Sequence, residues 1–272
     1  MKSPSNNGIN AEIQHVSRPA TAPKKDANLS SAALARRVTS GATLGLGVAA
    51  VRARVEHPPL DEYYNSLFTA FGPQHWWPGK TRFEIIVGAI LTQNTSWTNV
   101  ERAIENLRRE GLLTPAAIEK ASKPRLERLI RSSGYFRQKA RKLKEFCKFL
   151  RTEYRGSLKR MFSAPTMELR GKLLGVFGIG PETADSILLY GGRHGVFVVD
   201  AYARRILSRH GWLSANAKYD DVRWMVERQF PGDEPRFNEL HALIVRAGKE
   251  FCRPQVALCG ECPLGRYREE GR

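Results

Sequence analysis

The most constraining feature of the chain is a helical pattern that runs almost unbroken from Pro58 to the C-terminal region. Apolar residues recur at three- and four-residue spacing, and Gly, Pro, Ser and Thr mark the breaks. Only VFVV at 196–199 has an extended pattern, and four residues are too few to form a sheet. The sequence therefore predicts an all-α fold. The predicted helices cover residues 60–72, 82–93, 94–110, 114–121, 123–134, 137–155, 167–176, 181–191, 200–211, 219–230 and 237–252.

The charge of the chain indicates a polyanionic partner. Its 272 residues include 44 Lys and Arg against 27 Asp and Glu, a net charge of +17, and a surplus of this size is typical of nucleic-acid-binding proteins. Residues 101–160 hold 18 of the basic residues and 7 of the acidic ones. The predicted helix 137–155 within this block has an apolar stripe beside its basic faces. It therefore fits DNA docking better than a disordered tail would.

Residues 1–56 are predicted to be a disordered extension, since they are rich in Ser, Ala, Asn and Pro and have no sustained period. Their composition overlaps with that of organelle transit peptides. A tail without function, or a start codon assigned too early, accounts for it as well, and we favour these. The stretch GATLGLGVAAV at 41–51 is too short and too rich in glycine to cross a bilayer. We therefore expect no membrane association.

A tight GIG turn separates two predicted helices in the sequence LGVFGIGPETADSILLY. Gly178 and Gly180 allow the backbone to approach a partner closely, and Pro181 suits the first position of the next helix. Free N–H groups at such a helix start form a natural phosphate site. An ordinary helix–turn–helix corner would use the same spacing. Asp200 opens the following predicted helix, where it can act as a cap, as a catalytic carboxylate, or as both.

LGVFGIGPETA and the VVDAY that follows it resemble the helix-hairpin-helix and the downstream aspartate of the endonuclease III superfamily of DNA glycosylases. LTQNT (91–95), SGYFRQKARKL (133–143) and the C-terminal cysteines extend the resemblance over roughly residues 60–265. With the WWP sequence included, the motifs are most similar to the 3-methyladenine DNA glycosylase III branch. The resemblance implies a two-lobed helical fold that grips double-stranded DNA and flips a damaged base out of it.

The resemblance also implies roles for individual residues. Asp200 would stabilise positive charge on the sugar and orient the attacking water. Gln93 matches the residue that fills the gap left by the flipped nucleotide, although an amide at this position can also cap a helix. Gly178, Gly180 and Glu182 belong to the hairpin that would bind the DNA.

Glu182 bears on the type of reaction. Bifunctional members carry a lysine two residues after the second glycine, and its amine forms a Schiff base that leads to strand cleavage. A carboxylate cannot be that nucleophile. We therefore predict a monofunctional DNA glycosylase of base excision repair, which hydrolyses the N-glycosyl bond and has no abasic-site lyase activity.

Three of the five tryptophans flank the predicted helix 82–93. Trp76 and Trp77 precede it, and Trp97 follows it. Core packing is the usual fate of tryptophan, but the three rings are also suited to form a pocket for a flipped base. Electron-rich rings attract a cationic alkylated purine, which leaves as a neutral base and needs no strong acid. We therefore expect an alkylated purine such as 3-methyladenine as the substrate.

Alternative functions stay open at this point. A mismatch glycosylase for thymine, uracil or adenine, or an endonuclease III-like enzyme, would share these motifs. Neutral bases leave as anions and would need a proton donor, for which Glu84, Glu182 and Tyr202 are candidates. A helix-hairpin-helix protein without catalytic activity would only bind DNA. Asp200 argues against that function, because a pure binder has no need of a carboxylate facing the anionic backbone.

Cys252, Cys259 and Cys262 reproduce the first three ligands of the superfamily's [4Fe–4S] loop. The position of the fourth ligand is Arg268, although such clusters use four thiolates. Cys147 is predicted to be a core residue instead. A three-cysteine cluster with another ligand, a different metal, and a site that has lost its metal all fit this pattern. The resemblance favours the cluster.

The resemblance divides the chain into three parts. Residues 1–56 would be the extension, 57–251 the helix-hairpin-helix glycosylase domain, and 252–272 the cysteine loop. The cysteine spacing argues for metal and a reducing compartment rather than disulfides. We expect a monomer located in the cytoplasm, at a bacterial nucleoid, rather than in an organelle.

Overall fold

The computed structural model describes residues 57–214 and 216–268, so the predicted extension 1–56 lies outside them. The described residues form helices and no strand, which confirms the all-α class. The helices are α1 (Leu60–Phe71), α2 (Arg82–Leu91), α3 (Trp97–Arg109), α4 (Pro115–Lys120), α5 (Lys123–Leu129), α6 (Phe136–Tyr154), α7 (Leu158–Met161), α8 (Thr166–Leu174), α9 (Pro181–Ser186), α10 (Ala201–Arg209), α11 (Tyr219–Glu227) and α12 (Glu234–Glu250). A π-helical segment (Ile187–Gly192) continues α9, and 3₁₀ turns cover Arg131–Ser133 and Gly265–Tyr267.

α2 is the central helix, as its nearly uniform apolar surface predicts. It packs against α3, α6, α9 and the π-helical segment. The Thr81 hydroxyl caps its start by accepting a hydrogen bond from the Glu84 amide at 3.1 Å. Gly88 in the middle of α2 makes room for the indole of Trp77, since a Cβ at this position would lie 3.2 Å from Trp77 Nε1. Trp77, one of the candidate pocket residues, therefore packs directly against the surface of α2.

The observed helices α2 and α3 are shorter than the predicted helices 82–93 and 94–110, and a turn separates them. α2 ends at Leu91 and α3 begins at Trp97. Asn94 between them has a φ of 54°, a left-handed conformation that a right-handed helix cannot continue through. Gln93 consequently lies in a tight turn between two helices, where its side chain can reach across to another element.

The helices form two lobes, in agreement with the resemblance. α12 packs against α1 and α10, so the first and last helices build one lobe, and α6 packs against α4, α5 and α7 in the other. Tyr63 of α1 is fully buried in the first lobe, where its hydroxyl lies 2.6 Å from His210 Nδ1. Trp212 Nε1 donates to the same hydroxyl at 3.2 Å. These contacts fasten the first helix to the end of α10.

The segment 196–199 is extended, as predicted. Its four side chains are buried, and within the described part of the chain the segment joins no sheet. Instead, α11 satisfies its backbone. The Phe197 amide donates to the Glu227 carboxylate at 2.9 Å, and the Val199 amide donates to the Tyr219 hydroxyl at 3.2 Å. These two bonds fix the backbone immediately before Asp200.

A buried ion pair stiffens the hairpin formed by α8 and α9. Arg170 of α8 donates through Nε and Nη2 to the two oxygens of Asp185 in α9, at 2.7 and 3.1 Å. Arg170 Nη2 also contacts Asp220 of α11 at 2.8 Å. Burial raises the pKa of Asp185, and the charge and hydrogen bonds of Arg170 oppose that rise. The pair therefore holds both arms of the hairpin against the helix that also positions Asp200.

Candidate active site

A cleft of about 380 Å³ brings together most of the residues singled out in the sequence. Its walls come from the turns around α2, from α9, from the start of α10 and from α12. Six predicted site residues line it: Trp76, Trp77, Gln93, Trp97, Glu182 and Asp200. The hairpin glycines and the three C-terminal cysteines lie outside it.

Asp200 caps α10 and keeps one oxygen toward the cleft. Its Oδ1 accepts a hydrogen bond from the Ala203 amide at 2.8 Å, so the cap predicted for this residue is present. Its Oδ2 lies 3.5 Å from Nε2 of His241 on α12. The cap fixes the carboxylate while the cleft gives it access to a ligand, so the structural and the catalytic interpretation are compatible.

Glu182 lines the same cleft and retains an exposed surface. Desolvation within the cleft raises the pKa of its carboxyl, the negative charge of Asp200 adds to the rise, and His241 opposes it. Two carboxylates in one cleft with different environments tend to hold their protons differently. Glu182 is the one driven toward its protonated form.

Trp76, Trp77 and Trp97 form a cluster at one side of the cleft. The Trp77 ring centroid lies 5.5 Å from that of Trp76 and 5.3 Å from that of Trp97, with edge-on geometry in both pairs. Tyr190 of the π-helical segment packs against Trp77 at 5.0 Å. All three indoles are half-buried and pack on the core. They therefore serve as core residues on one side and as a wall of the cleft on the other.

Gln93 connects the turn after α2 to the hairpin. Its Nε2 donates to the Gly178 carbonyl at 3.1 Å and to the Thr183 hydroxyl at 2.9 Å. Its Oε1 accepts a hydrogen bond from Lys142 of α6. The amide thus reaches the hairpin rather than the ends of α2 or α3, and the capping alternative is not how the side chain is used here.

The hairpin turn combines a left-handed glycine with basic neighbours. Gly178 has a φ of 79°, and a Cβ at this position would collide with the Lys142 side chain at 2.5 Å. Gly180 precedes α9 in an extended conformation, and open space lies where its Cβ would be. Phe177 stays exposed, with the guanidinium of Arg141 3.7 Å from its ring centroid. The turn therefore presents its backbone next to the basic helix α6.

The cleft also contains residues that the sequence did not reveal. His241 is 4% exposed, and its Nδ1 lies 2.5 Å from the hydroxyl of the buried Tyr190. Lys249 lines the cleft with its ammonium group 5.8 Å from the Trp76 ring centroid. His241 stands among apolar residues of a core helix, a setting in which histidine is ordinarily structural. Its partners are 41 and 51 residues away in sequence, so no local spacing could identify it.

The three proton-donor candidates are placed differently. Glu84 forms an ion pair with Arg108 at 2.8 Å and is not among the residues of the cleft wall. Glu182 and Tyr202 both line the cleft. Tyr202 is accommodated by Gly248 of α12, where a Cβ would lie 2.5 Å from the tyrosine ring. Glu84 is therefore excluded as a proton donor in the cleft, and Glu182 and Tyr202 remain candidates.

Cys252, Cys259 and Cys262 line a second cavity, of about 210 Å³, beside α10. Arg209 donates to Cys252 Sγ at 3.2 Å, and Arg268 donates to Cys259 Sγ at 3.3 Å. Burial raises the pKa of Cys262, its two partner thiols add to the rise, and the amides of Leu264 and Gly265 oppose it. In the described ranges, no three His, Cys, Asp or Glu side chains converge tightly enough to chelate a single metal ion.

The predicted place of Cys147 in the core is confirmed. The residue is 1% exposed in α6, and burial raises the pKa of its thiol to about 12. It is not part of the cysteine-lined cavity. Cys147 is therefore unsuited to replace the missing fourth ligand.

A family model described as the HhH-GPD superfamily base excision DNA repair protein matches residues 87–231. The chain belongs to the HhH-GPD superfamily of base excision DNA repair proteins. The matched residues include Gln93, the hairpin and Asp200. The superfamily assignment agrees with the resemblance to endonuclease III and makes the protein a DNA glycosylase, an enzyme whose partner is DNA. Across the described helices, none has the length and apolar character to span a bilayer.

Two curated relatives show how far the HhH-GPD similarity extends. A Methanocaldococcus jannaschii protein named as a DNA repair glycosylase is 46% identical over 206 residues, which cover 75% of this chain and 93% of that one. Endonuclease III of Thermotoga maritima is 29% identical over 194 residues, 70% of this chain and 85% of the relative. The similarity thus spans the helical part of the chain.

Solved HhH-GPD structures have the same fold. A non-covalent endonuclease III–DNA complex superposes with a TM-score of 0.67 at 22% identity and covers 78% of this chain and 94% of the other. Helicobacter pylori 3-methyladenine DNA glycosylase (MagIII), bound to 1,N6-ethenoadenine, gives a TM-score of 0.62 at 26% identity, over 70% and 97% of the two chains. The two-lobed arrangement of helices is therefore that of the endonuclease III fold.

Proposed function

We propose that this DNA glycosylase is monofunctional and excises an alkylated purine such as 3-methyladenine from double-stranded DNA. The observation that carries the proposal is the shared cleft, whose wall includes both the carboxylate of Asp200 and three clustered indoles. A flipped nucleotide has its sugar and its base about one bond apart, so one cleft must serve both. Asp200 would act on the sugar and the tryptophans on the base.

The indole cluster supports a cationic base. Alkylation at a ring nitrogen gives adenine a positive charge, and the faces of Trp76, Trp77 and Trp97 attract such a charge through cation–π interaction. The alkylated base leaves as a neutral molecule, so little proton donation is required. The H. pylori enzyme of the same fold was solved with a modified adenine bound, which is consistent with a purine in this cleft.

Asp200 would supply the catalytic charge. Breakage of the N-glycosyl bond builds positive charge on the sugar, and a fixed carboxylate stabilises that charge electrostatically. The hydrogen bond from Ala203 leaves Oδ2 as the oxygen for this purpose, or for orienting the attacking water. The hydrogen bonds from the Phe197 and Val199 amides to α11 hold the backbone before Asp200 in place. The carboxylate therefore needs little reorganisation during the reaction.

Glu182 supports the absence of lyase activity. It occupies the position at which bifunctional members carry the Schiff-base lysine, and its carboxyl cannot form an imine. Lys249 brings an amine to the cleft wall, close to the Trp76 ring rather than in the hairpin. The lyase question is therefore tested best with variants of both residues.

We further propose that the cysteine-lined cavity holds a [4Fe–4S] cluster through Cys252, Cys259 and Cys262. The three thiols line one cavity, and together they can supply three of the thiolates that bind such a cluster. The guanidinium groups that donate to two of the sulfurs fit negative charge there. When bound, the cluster would supply structural cross-linking of the loop after α12. All four cysteines of the chain are unpaired, in keeping with a reducing compartment such as the cytoplasm.

A panel of duplexes tests the substrate. Purified protein is incubated with DNA that contains 3-methyladenine, an oxidised base, or a T·G or U·G mismatch, and the released bases are separated and identified. We expect release of 3-methyladenine by the wild type and its loss in Asp200→Asn. Release from the mismatches alone would contradict the alkylpurine proposal. Binding without release from any duplex would favour a protein that only binds DNA.

A second candidate function is excision of a neutral base, as in mismatch repair. The specific observation in its favour is the raised pKa of Glu182, which makes this carboxyl a suitable proton donor to a base that leaves as an anion. The panel separates the two candidates, because Glu182→Gln would then reduce mismatch excision strongly. Excision of 3-methyladenine would change little in the same variant.

A further inference from the structure

His241 contacts the proposed catalytic residue from an otherwise apolar helix. Its ring is 4% exposed, and Nε2 lies 3.5 Å from Asp200 Oδ2. Nε2 is buried and forms no regular hydrogen bond in the described structure. A buried polar atom without a partner is costly. The position of Nε2, 3.5 Å from the Asp200 carboxylate, therefore indicates that the two groups interact.

Tyr190 determines which nitrogen of His241 carries the proton. The Tyr190 hydroxyl lies 2.5 Å from Nδ1. Burial and the charge of Asp200 raise the pKa of Tyr190 well above its ordinary value, so the phenol keeps its proton. If Nδ1 carried the hydrogen of a neutral imidazole, the lone pair of Nε2 would face the carboxylate of Asp200, and the two would repel. The favourable arrangement has the phenol donating to Nδ1 and the Nε2–H directed at Oδ2.

The surroundings of His241 contain several charged or titratable groups. Asp200 faces it from the start of α10, and Tyr190 faces it from the π-helical segment. Glu182 of α9 lines the same cleft, and Lys249 stands two turns further along α12 in the same cleft wall. Two carboxylates in one cleft compete for a proton. A donor directed at one of them decides which of the two stays ionised.

We propose that His241 is a positioning residue for Asp200, which orients Oδ2 toward the bound nucleotide through its Nε2–H. Tyr190 fixes the tautomer that makes this possible. The proposal rests on the catalytic role of Asp200 given above and adds to it a chain of three side chains, Tyr190–His241–Asp200. His241 itself does not touch the substrate in this scheme.

Single-turnover excision of 3-methyladenine across a range of pH tests the proposal. His241→Phe removes the donor and keeps a ring in the cavity, whereas His241→Gln offers an amide N–H at a similar reach. We expect His241→Phe to lower the rate at neutral pH by about ten- to a hundredfold, the effect of removing a hydrogen bond to a charged group. The acidic limb of its pH profile should move upward, because a donor beside a carboxylate favours its ionised form and the variant lacks that donor. Affinity for DNA with an abasic-site analogue should not change, and His241→Gln should recover part of the rate.

A matched control is His194→Gln. His194 also has one ring nitrogen bound to a hydroxyl, that of Thr166 at 2.9 Å, and a buried Nε2 without a partner. It is not part of the cleft wall, so its replacement should leave the pH profile unchanged. If His241→Phe does not fold, Tyr190→Phe tests the same chain, and we expect a smaller fall in rate with the same upward shift.

The outcomes are distinct. A folded His241→Phe with the rate and acidic limb of the wild type overturns the proposal. Equal losses in His241→Phe and His241→Gln, with weaker DNA binding and no change in the pH profile, also overturn it, since they indicate a packing role. If wild-type protein releases no base, the proposed function fails and the inference fails with it. If the wild type is active and Asp200→Asn is not, only the inference on His241 is at stake.

Discussion

The ammonium group of Lys139 lies 2.9 Å from the carbonyl oxygen of Leu91, the last residue of α2. It also donates to the Ser133 carbonyl at 2.6 Å, and the residue is 1% exposed. Burial lowers the pKa of Lys139 to about 8, and the charge of Lys142 adds to the effect. The turn that carries Gln93 is therefore anchored by a buried amine.

Lys139 should make stability depend on pH. Its pKa is lower in the folded chain, so between about pH 8 and 10.5 the unfolded chain binds more protons than the folded one. The free energy of unfolding contributed by this group therefore rises as pH increases through that window. We expect the unfolding free energy of the wild type minus that of Lys139→Met to increase from pH 8 to pH 10.5. Denaturant unfolding at several pH values measures it, and Lys123→Met, at an exposed lysine, should show no such trend.

Asp200→Asn should separate catalysis from capping. Asparagine caps helices about as well as aspartate, so the melting temperature should stay near that of the wild type. The single-turnover rate of base release should fall by at least about a hundredfold, because the carboxylate charge is lost. Asp233→Asn is the matched control, since Asp233 caps α12 through the Arg236 amide at 3.1 Å and lies outside the cleft. A normal rate in Asp200→Asn would remove Asp200 from the mechanism.

Trp97→Leu should weaken selection of a cationic base. Its ring faces Trp77 at the cleft wall, and its Nε1 donates to Glu101 at 2.8 Å. Loss of one aromatic face should reduce excision of 3-methyladenine by about tenfold. Trp224→Leu serves as a control because Trp224 is 52% exposed and away from the cleft. Equal activity of the Trp97 variant and the wild type would mean that this indole only fills space.

Glu182→Lys should introduce lyase chemistry. The substitution places an amine where bifunctional relatives carry the nucleophile, so borohydride treatment with an abasic duplex should trap a covalent adduct. Wild-type protein should give neither adduct nor strand cleavage. Lys249→Ala is run in parallel. An adduct formed by the wild type and lost in Lys249→Ala would show that the cleft amine acts as a lyase and that the monofunctional proposal is wrong.

Cys259→Ser should abolish the iron-sulfur cluster. We expect anaerobically purified wild-type protein to absorb near 400 nm and to contain iron and sulfide, as clusters bound by thiolates do. Cys259→Ser should lose both signals. Cys147→Ala should retain them, because Cys147 is buried in α6 away from the cavity. A colourless, iron-free wild type would contradict the cluster proposal.

Local signals in the sequence were sufficient for much of the fold and for part of the site. The GIG turn, Asp200 and the helix that follows Asp200 are recognisable because their roles depend on residues close to them in sequence. Trp76 and Trp97 flank one predicted helix, which suggested a shared pocket, but their ring centroids come within 6.3 Å only through the turns at both ends of that helix.

The errors have physical causes. The predicted helix 94–110 begins three residues before the observed start of α3 at Trp97, because the left-handed backbone of Asn94 cannot belong to a right-handed helix. The sequence does not show that Glu84 is bound by Arg108, which lies 24 residues away. It does not identify His241 either, because the partners of His241 come from two other elements. Contacts between residues far apart in the sequence produce no periodic pattern from which they could be predicted.

The π-helical segment after α9 contains one residue more than an α-helix would need over the same distance. A π turn accommodates one residue more than an α turn of the same rise, so Ile187–Gly192 behaves like a helix with a single-residue insertion. Deletion of one residue from the range 187–189 would restore regular helix geometry and rotate Tyr190 by about 100° around the helix axis. Tyr190 would then turn away from His241 and Trp77 together. The number of residues between the hairpin and Asp200 therefore determines whether the Tyr190 side chain reaches His241 and Trp77.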